Sequence, residues 1–217
     1  SREAPMIHEL RRYVIKPGKV ADYVEKSGSI GRAVRSDRYG RLLGYWSTDL
    51  GPLNQVVHLW EFADLAARTA ARAGLAKDER WVKEYLPVSG PLLETQENMI
   101  LSPFDWAPFR PTTGMGLHEL RVYRLHPGKV APYGEAMREV LPLREKHSSP
   151  VGYWLVEIGP LNTVVHLWGY QDLAHRAEVR KALAADTIWQ TAVGRLMPLL
   201  QSQEATILVP TSYSPCR

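Results

Sequence analysis

Cysteine is almost absent from this sequence: Cys216 is the only one in 217 residues. A single thiol excludes an internal disulfide framework and any metal cluster built from several cysteines. Blocks of one charge sign are also missing, because 27 basic and 23 acidic side chains are interspersed to give a net charge of +4. Proteins that read nucleic acid usually carry a basic stripe or patch, so we expect no nucleic-acid partner.

Long hydrophobic runs and standard nucleotide or hydrolase motifs are missing as well. The apolar runs are only as long as strands, which predicts no membrane partner, and the first residues lack the apolar core of a signal peptide. These features predict a cytoplasmic protein. The sequence has no Gly-rich phosphate loop, no Gly-x-Ser-x-Gly turn and no His-Glu-x-x-His pair. We therefore expect neither a cofactor nor a bound metal.

What the sequence does contain is an internal duplication. The stretch Gly-Pro-Leu-Asn-Gln-Val-Val-His-Leu-Trp at 51–60 returns at 159–168 with one substitution. Residues 7–23 align with 117–133 with 11 of 17 pairs identical, and residues 44–66 align with 152–174 with 15 of 23 identical. The repeat predicts a first unit over 6–103, a linker over 104–115 and a second unit over 116–215.

Each unit shows the order strand, helix, strand, strand, helix, strand. In the first unit the patterns predict strands over 6–14, 43–50 and 92–101, a third strand after the Gly51–Asn54 turn, and a helix over 19–35. A second helix is predicted from an N-cap at Asp64 to about Tyr85, with a break near Gly74. Such a sheet, with both helices on one face, leaves its other face uncovered, and the second unit can cover it. We therefore predict an α+β protein in which two βαββαβ repeats form a pseudo-dimeric α/β barrel with antiparallel sheets.

The motifs that recur in the chain resemble those of the NIPSNAP family. They are Glu-Leu-Arg-Arg-Tyr at 9–13, Lys-Pro-Gly-Lys-Val at 16–20, Gly-Tyr-Trp at 44–46, Gly-Pro-Leu-Asn at 51–54, Val-His-Leu-Trp at 57–60, residues 64–68 and Tyr-Ser-Pro at 213–215. The resemblance covers nearly the whole chain and implies ferredoxin-like repeats of the dimeric α/β-barrel superfamily. That superfamily includes cofactor-free monooxygenases, isomerases and haem-binding enzymes, whereas most NIPSNAP members lack an assigned reaction. The resemblance therefore implies a fold and leaves the function open.

The histidine in each copy of the repeated strand is the first candidate for chemistry. Alternation along that strand places His58 on the same face as Trp60, and His166 on the same face as Trp168. As catalytic groups these histidines would act as acid or base, or would bind haem iron. The alternative is a buried histidine that holds its strand in register. A tyrosine on the preceding strand of each unit, Tyr45 or Tyr153, is a second catalytic candidate that could polarise a substrate oxygen.

Further candidates for substrate binding lie on the first strand of each unit. Alternation puts an acid, an arginine and a tyrosine on one strand face in both copies. As a binding set they would hold a polar or anionic group; as a structural set, which we favour, they would tie sheet to helices with Arg68 or Arg176. The substrate-binding candidates are Glu9, Arg11, Tyr13, Trp60, Glu119, Arg121, Tyr123, Trp168 and Tyr170.

Together these features favour a cofactor-independent enzyme that isomerises, cyclises or oxygenates a flat, hydrophobic, oxygenated small molecule in a cleft between sheet and helices. The alternatives are a non-catalytic module that binds a ligand or a protein, and a haem-binding protein. Association into a homo-oligomer stays open. Three histidines occur only in the second unit, which favours that unit as the site of chemistry: His126, His147 and His175.

Overall fold

Eight strands form one closed barrel in the computed structural model, which describes residues 6–217. The strands are β1 (Ile7–Ile15), β2 (Arg41–Leu50), β3 (Gln55–Phe62), β4 (Leu93–Pro103), β5 (Leu117–Leu125), β6 (Ser149–Ile158), β7 (Thr163–Tyr170) and β8 (Leu200–Pro210). The α-helices are α1 (Val20–Lys26), α2 (Arg32–Arg35), α3 (Leu65–Lys77), α4 (Leu86–Ser89), α5 (Val130–Arg144), α6 (Leu173–Ala185) and α7 (Thr187–Leu196). Residues 1–5, which contributed to the prediction of localisation, lie outside this range. Within residues 6–217 no helix combines the length and apolar character needed to cross a bilayer.

The order of strands around the barrel is β1-β3-β2-β8-β5-β7-β6-β4, and every neighbouring pair is antiparallel. Each repeat contributes four consecutive strands of the ring. The two repeats join where β2 pairs with β8 and where β4 pairs with β6. The predicted fold class, two βαββαβ repeats in a pseudo-dimeric barrel, is confirmed.

Both faces of the repeated strand are buried, in β3 and in β7, as its apolar character predicts. Val57 and Leu59 point into the barrel, where they join one cluster with residues of the second repeat such as Val165 and Leu167. Val56 and Trp60 point outward and pack with the helices of their own repeat. The alternation assigned from the sequence is therefore correct on β3.

Two tryptophans inside the barrel connect the repeats. The Trp46 Nε1 donates to His118 Nδ1 at 3.1 Å, and the Trp154 Nε1 donates to His8 Nδ1 at 2.9 Å. Both indoles are fully buried. These bonds join residues far apart in sequence, and each repeat satisfies the tryptophan of the other.

Glycine makes room for one of these indoles, and this gives a first prediction. A Cβ built on Gly44 would overlap the ring of Trp46, whereas one built on Gly194 in α7 meets nothing within 4 Å. Gly44→Ala should lower the free energy of unfolding by about 1–3 kcal/mol through overpacking. Gly194→Ala should raise it by about 0.5–1 kcal/mol, because alanine is the better helix former. Urea unfolding of both variants checks the pair, and equal effects would contradict the packing argument.

The second helix of the first repeat is broken at a different residue from the predicted one, and helical structure continues beyond Tyr85 to Ser89. The helix that starts at Asp64 has the predicted N-cap, because the Asp64 side chain accepts from Ala67 N at 2.7 Å, but it ends at Lys77. Gly74 lies inside it. Asp78 has an extended backbone, and its side chain accepts from Trp81 N at 3.2 Å, which starts a second helical segment. The break therefore lies at a second capping aspartate and not near Gly74.

Candidate functional site

A cavity of about 450 Å³ lies between the outer face of the sheet and the helices of the first repeat. His58, in the middle of β3, forms part of its wall. The imidazole stacks on Tyr45 with ring centroids 4.6 Å apart and meets the edge of Tyr13 at 4.7 Å. Two tyrosines therefore fix the plane of the histidine. Trp81 lies on the helical side of the same cavity.

Hydrogen bonding fixes the tautomer of His58. The Trp60 Nε1 donates to His58 Nδ1 at 2.6 Å, and an indole nitrogen can only donate. In the neutral imidazole the proton must therefore sit on Nε2. That Nε2 is buried and has no hydrogen-bond partner among the described residues. The cavity thus contains a donor without an acceptor, and a buried polar group in that state carries a desolvation cost.

The surroundings of His58 keep it neutral. Burial, together with Arg11, Arg35 and Arg72, holds the pKa of His58 well below the usual 6.5. At neutral pH the imidazole is uncharged, and its acceptor nitrogen is occupied by Trp60. It can donate a hydrogen bond through Nε2, but it has no free nitrogen with which to take a proton.

The same geometry bears on haem. Iron would need the lone pair of Nε2, and that nitrogen carries the proton as long as Trp60 donates to Nδ1. His58 as folded does not fit an axial ligand. His166 has the same arrangement, because Trp168 Nε1 donates to its Nδ1 at 2.7 Å. Among residues 6–217 there is also no cluster of three or more side chains suited to hold a metal ion.

Hydroxyl groups also line the first cavity. Ser27 Oγ lies 2.8 Å from the Tyr85 hydroxyl, and the hydroxyl of Tyr45 donates to Ser27 Oγ at 3.4 Å. Tyr85 also donates to the Tyr23 hydroxyl at 3.4 Å. Burial raises the pKa of Tyr45 well above 10, so the phenol is a donor at neutral pH. Sequence reasoning missed Ser27 and Tyr85.

Both missed residues lie on π-helical turns. One spans Ser27–Gly31 between α1 and α2, and the other spans Trp81–Tyr85 before α4. The matched region of the second repeat is a regular helix, α5, and α7 is regular as well. A π turn costs helical stability and recurs at functional sites, where it re-aims a side chain. The sequence signal for the first π turn was the pair of glycines in Ser-Gly-Ser-Ile-Gly at 27–31. This stretch aligns with Met-Arg-Glu-Val-Leu at 137–141, which has no glycine.

A second cavity of about 310 Å³ occupies the matched place in the second repeat. His166 lies there, stacked on Tyr153 with centroids 4.3 Å apart and edge-on to Tyr123 at 4.6 Å. Its Nε2 is also buried without a partner. Where the first cavity has Ser27 and Tyr85, however, this one has the apolar Met137 and Val193. The second cavity is the smaller and the less polar at this position.

The three histidines that favoured the second repeat do not line its cavity. His126 is exposed, His147 lies 3.8 Å from Asp186, and His175 Nδ1 accepts from Gln171 N at 3.1 Å at the start of α6. The reason for preferring the second repeat is thus removed. The larger cavity, with its hydroxyl groups, belongs to the first.

Most of the predicted site residues line one of the two cavities, and three do not. The first cavity takes Arg11, Tyr13, Tyr45, His58 and Trp60, and the second takes Arg121, Tyr123, Tyr153, His166 and Trp168. Glu9, Glu119 and Tyr170 lie outside both linings. Glu9 accepts from Arg11 at 2.8 Å, from Asn98 at 3.0 Å and from Arg68. The hydroxyl of Tyr170 accepts from Arg144 at 3.1 Å.

Comparison with known proteins agrees with this architecture. A family model described as NIPSNAP matches residues 8–108 and 118–215. Protein NipSnap homolog 3A of Pongo abelii is 31% identical over 217 residues, which cover 98% of this chain and 86% of the relative.

Two solved structures share the fold at low sequence identity. A protein of Fusobacterium nucleatum proposed to be a monooxygenase is 12% identical, with a TM-score of 0.71 and coverage of 95% of this chain and 93% of its own. A protein described as anthrone oxidase-like is also 12% identical, with a TM-score of 0.69 and coverage of 99% and 95%. Their likeness concerns the fold alone, whereas the family model covers both repeats, and the chain therefore belongs to the NIPSNAP family.

Proposed function

We propose that the first repeat is a cofactor-independent active site in which a flat, hydrophobic, oxygenated substrate is held with its carbonyl or phenol oxygen on His58. The observation that carries the proposal is the buried, unpartnered Nε2–H of His58 in the wall of the first cavity. A substrate oxygen there would accept the hydrogen bond that the free protein leaves unmade. The donor gains most when that oxygen becomes an enolate or phenolate.

The surroundings support the stabilisation of an anion. The neutral imidazole is fixed by Trp60 and Tyr45, so it needs no reorganisation when charge develops on the substrate. Arg35 and Arg72 line the same cavity and add positive potential in a buried setting. A bound O–H acid would ionise more readily than in water, with its proton released to solvent, and the anion formed is the form in which an electron-rich ring reacts with oxygen. Tyr45 and Trp60 then position His58, and Trp81 would cover the flat face of the substrate.

The proposal predicts an ionisation shift in a simple probe. The pKa of 4-nitrophenol bound to the protein should fall by about 1–2 units, the equivalent of one charge-assisted hydrogen bond. Absorbance of the phenolate near its visible maximum, titrated against pH at saturating protein, measures the shift. His58→Phe should remove most of it and leave only the part due to the arginines, because phenylalanine keeps the stacking on Tyr45 but has no donor.

The second repeat supplies the matched control. His166→Phe removes the equivalent imidazole from the smaller cavity and should leave the shift in place. Thermal unfolding curves of both variants check that they remain folded. An unshifted probe in the wild type, or a shift lost equally in both variants, would refute the assignment of His58.

A second function is favoured by one specific observation. No carboxylate lines the first cavity among the described residues. A carboxylate would be the base of a proton-transfer enzyme, and a module that binds its ligand without reaction needs no base. Native mass spectrometry of the purified protein distinguishes the two functions, because a retained ligand that is unchanged after incubation in air indicates binding alone, whereas a change in its mass indicates turnover.

A further inference from the structure

We propose that the ligand of the first cavity carries a carboxylate, which is bound by the guanidinium groups of Arg72 and Arg35. This inference rests on the proposed function, since it concerns the same cavity. The carboxylate would be a second group of the ligand that the protein binds, at a position separate from the oxygen bound by His58. The evidence is a pair of cations, one buried and one half-buried, that line this cavity without a carboxylate partner.

Arg35 is the more deeply buried of the two, at 4% exposure. Its guanidinium lies 3.4 Å from the ring centroid of Trp60. The Nε and Nη2 atoms donate to the main-chain oxygen of Tyr39 at 3.2 and 3.1 Å. Among residues 6–217 no carboxylate lies within 4 Å of it. Burial and the neighbouring Arg72 lower the pKa of Arg35 to about 9, so the side chain is still charged at neutral pH.

Arg72 reaches the same cavity from α3. Among residues 6–217 the Arg72 side chain forms neither a hydrogen bond nor an ion pair. Arg68, one turn earlier on the same helix, pairs with Glu9 instead. Burial and Arg11 lower the pKa of Arg72, as expected for a cation held among other cations.

The Glu9 carboxylate is already paired with two other arginines. Glu9 is fully buried and accepts from both Arg11 and Arg68, so it is surrounded by more positive charge than it can neutralise. Buried charges without a partner cost free energy, and an anionic ligand would recover that cost on binding. The excess of cations is therefore an argument for an anion that enters from outside.

The second repeat lacks this arrangement. Arg144, which lies over Trp168 as Arg35 lies over Trp60, donates to Tyr170 and Ser148 and is satisfied internally. Arg180, at the position of Arg72, is exposed. Arg144 and Arg180 also lack a carboxylate partner, but Arg144 donates to two hydroxyls and Arg180 is open to solvent, whereas the two cations of the first repeat are buried or half-buried beside the larger cavity.

A carboxylate suits the cavity better than a phosphate group. Six tyrosine and tryptophan rings line the cavity and match the body of an aromatic or conjugated acid. Guanidinium groups bind a planar carboxylate through two oxygens. Arg35 is already flat against Trp60 and anchored to Tyr39, which leaves Arg72 as the freer of the two donors.

The test compares two probes that differ only in the anion. 2-Naphthol offers a phenol, and 6-hydroxy-2-naphthoate offers the same phenol with a carboxylate on the opposite ring. Fluorescence titration of the full chain should show the naphthoate binding roughly 10-fold to 100-fold more tightly, as charge-assisted hydrogen bonds allow. In Arg72→Gln the ratio should fall toward one, while Arg180→Gln should keep it.

The outcomes separate this inference from the proposed function. Equal affinities for the two probes, with the 4-nitrophenol shift intact, would overturn the carboxylate and leave the role of His58 standing. A naphthoate preference that survives in Arg72→Gln would overturn the assignment of Arg72. Displacement of the naphthoate by equimolar inorganic phosphate would show a general anion site and would also overturn it. Failure of both naphthols to bind, with no nitrophenol shift, would refute both proposals.

Discussion

Glu9→Gln is expected to lower the free energy of unfolding by about 3–5 kcal/mol, the usual cost of removing one partner from a buried ion pair. The Glu9 carboxylate is fully buried and accepts from Arg11, Arg68 and Asn98. Burial alone would raise its pKa, but Arg11 and Arg68 hold the pKa below its usual value. Glutamine keeps the volume and removes the charge, which leaves Arg11 buried without its counter-ion.

Urea denaturation at pH 7.5 measures this loss, and Glu97→Gln is the matched control. Glu97 lies on β4, opposite Arg12 on β1, at 3.6 Å, but its side chain is 69% exposed. Exposed pairs contribute roughly 0.2–1 kcal/mol. Equal losses in the two variants would mean that the buried network does not hold β1 to α3. A small loss of unfolding free energy in Glu9→Gln, together with a loss of ligand binding, would instead indicate that Glu9 binds the ligand.

The architecture was predictable because the duplication repeats the pattern of every strand. Period-2 alternation assigned the two faces of β3. Because the helices cover only one face of the sheet, the second repeat was predicted to cover the other. The N-cap at Asp64 was readable from local sequence. These features depend on residues close together in the chain or on the comparison of one half with the other.

The chemistry of the site depended on contacts that local sequence does not encode. The bond from Trp154 to His8 spans 146 positions and arises only when the barrel closes. The proton on His58 Nε2 follows from the bond made by Trp60 two residues away, yet alternation indicates only that the two side chains share a face. Arg35 and Arg72 come from separate helices, and nothing in either helix marks them as lining one cavity.

Acidification from pH 7 to pH 5 is expected to destabilise the protein, and His118 alone accounts for about 2 kcal/mol of this loss. Burial lowers the pKa of His118 from 6.5 to about 4. Burial also lowers the pKa of His8, and burial with nearby arginines lowers those of His58 and His166. His118 therefore stays neutral in the folded chain at pH 5, and each of the four imidazoles binds protons less readily in the folded chain than in the unfolded chain.

The direction follows from the proton balance. Between about pH 6.5 and pH 4 the unfolded state binds more protons than the folded state, so stability rises with pH in this window. The stabilisation is complete above 6.5 and is lost as the pH falls toward 4. Glu9 and Glu119 have pKa values held below 4.5, so their contribution is lost at lower pH than that of the histidines. Measurements between pH 7 and pH 5 therefore report mainly on the histidines.

His118→Asn isolates one of them. The asparagine oxygen can replace Nδ1 as the acceptor for Trp46, at 3.1 Å in the wild type, but it does not titrate. The variant should be less stable at pH 7.5, because Thr112 loses its contact with Nε2 at 2.8 Å. Its free energy of unfolding should nevertheless fall by about 2 kcal/mol less than that of the wild type between pH 7 and pH 5. His126→Asn, at an exposed position, should retain the wild-type profile, and a profile unchanged in His118→Asn would show that this imidazole is not kept neutral by burial.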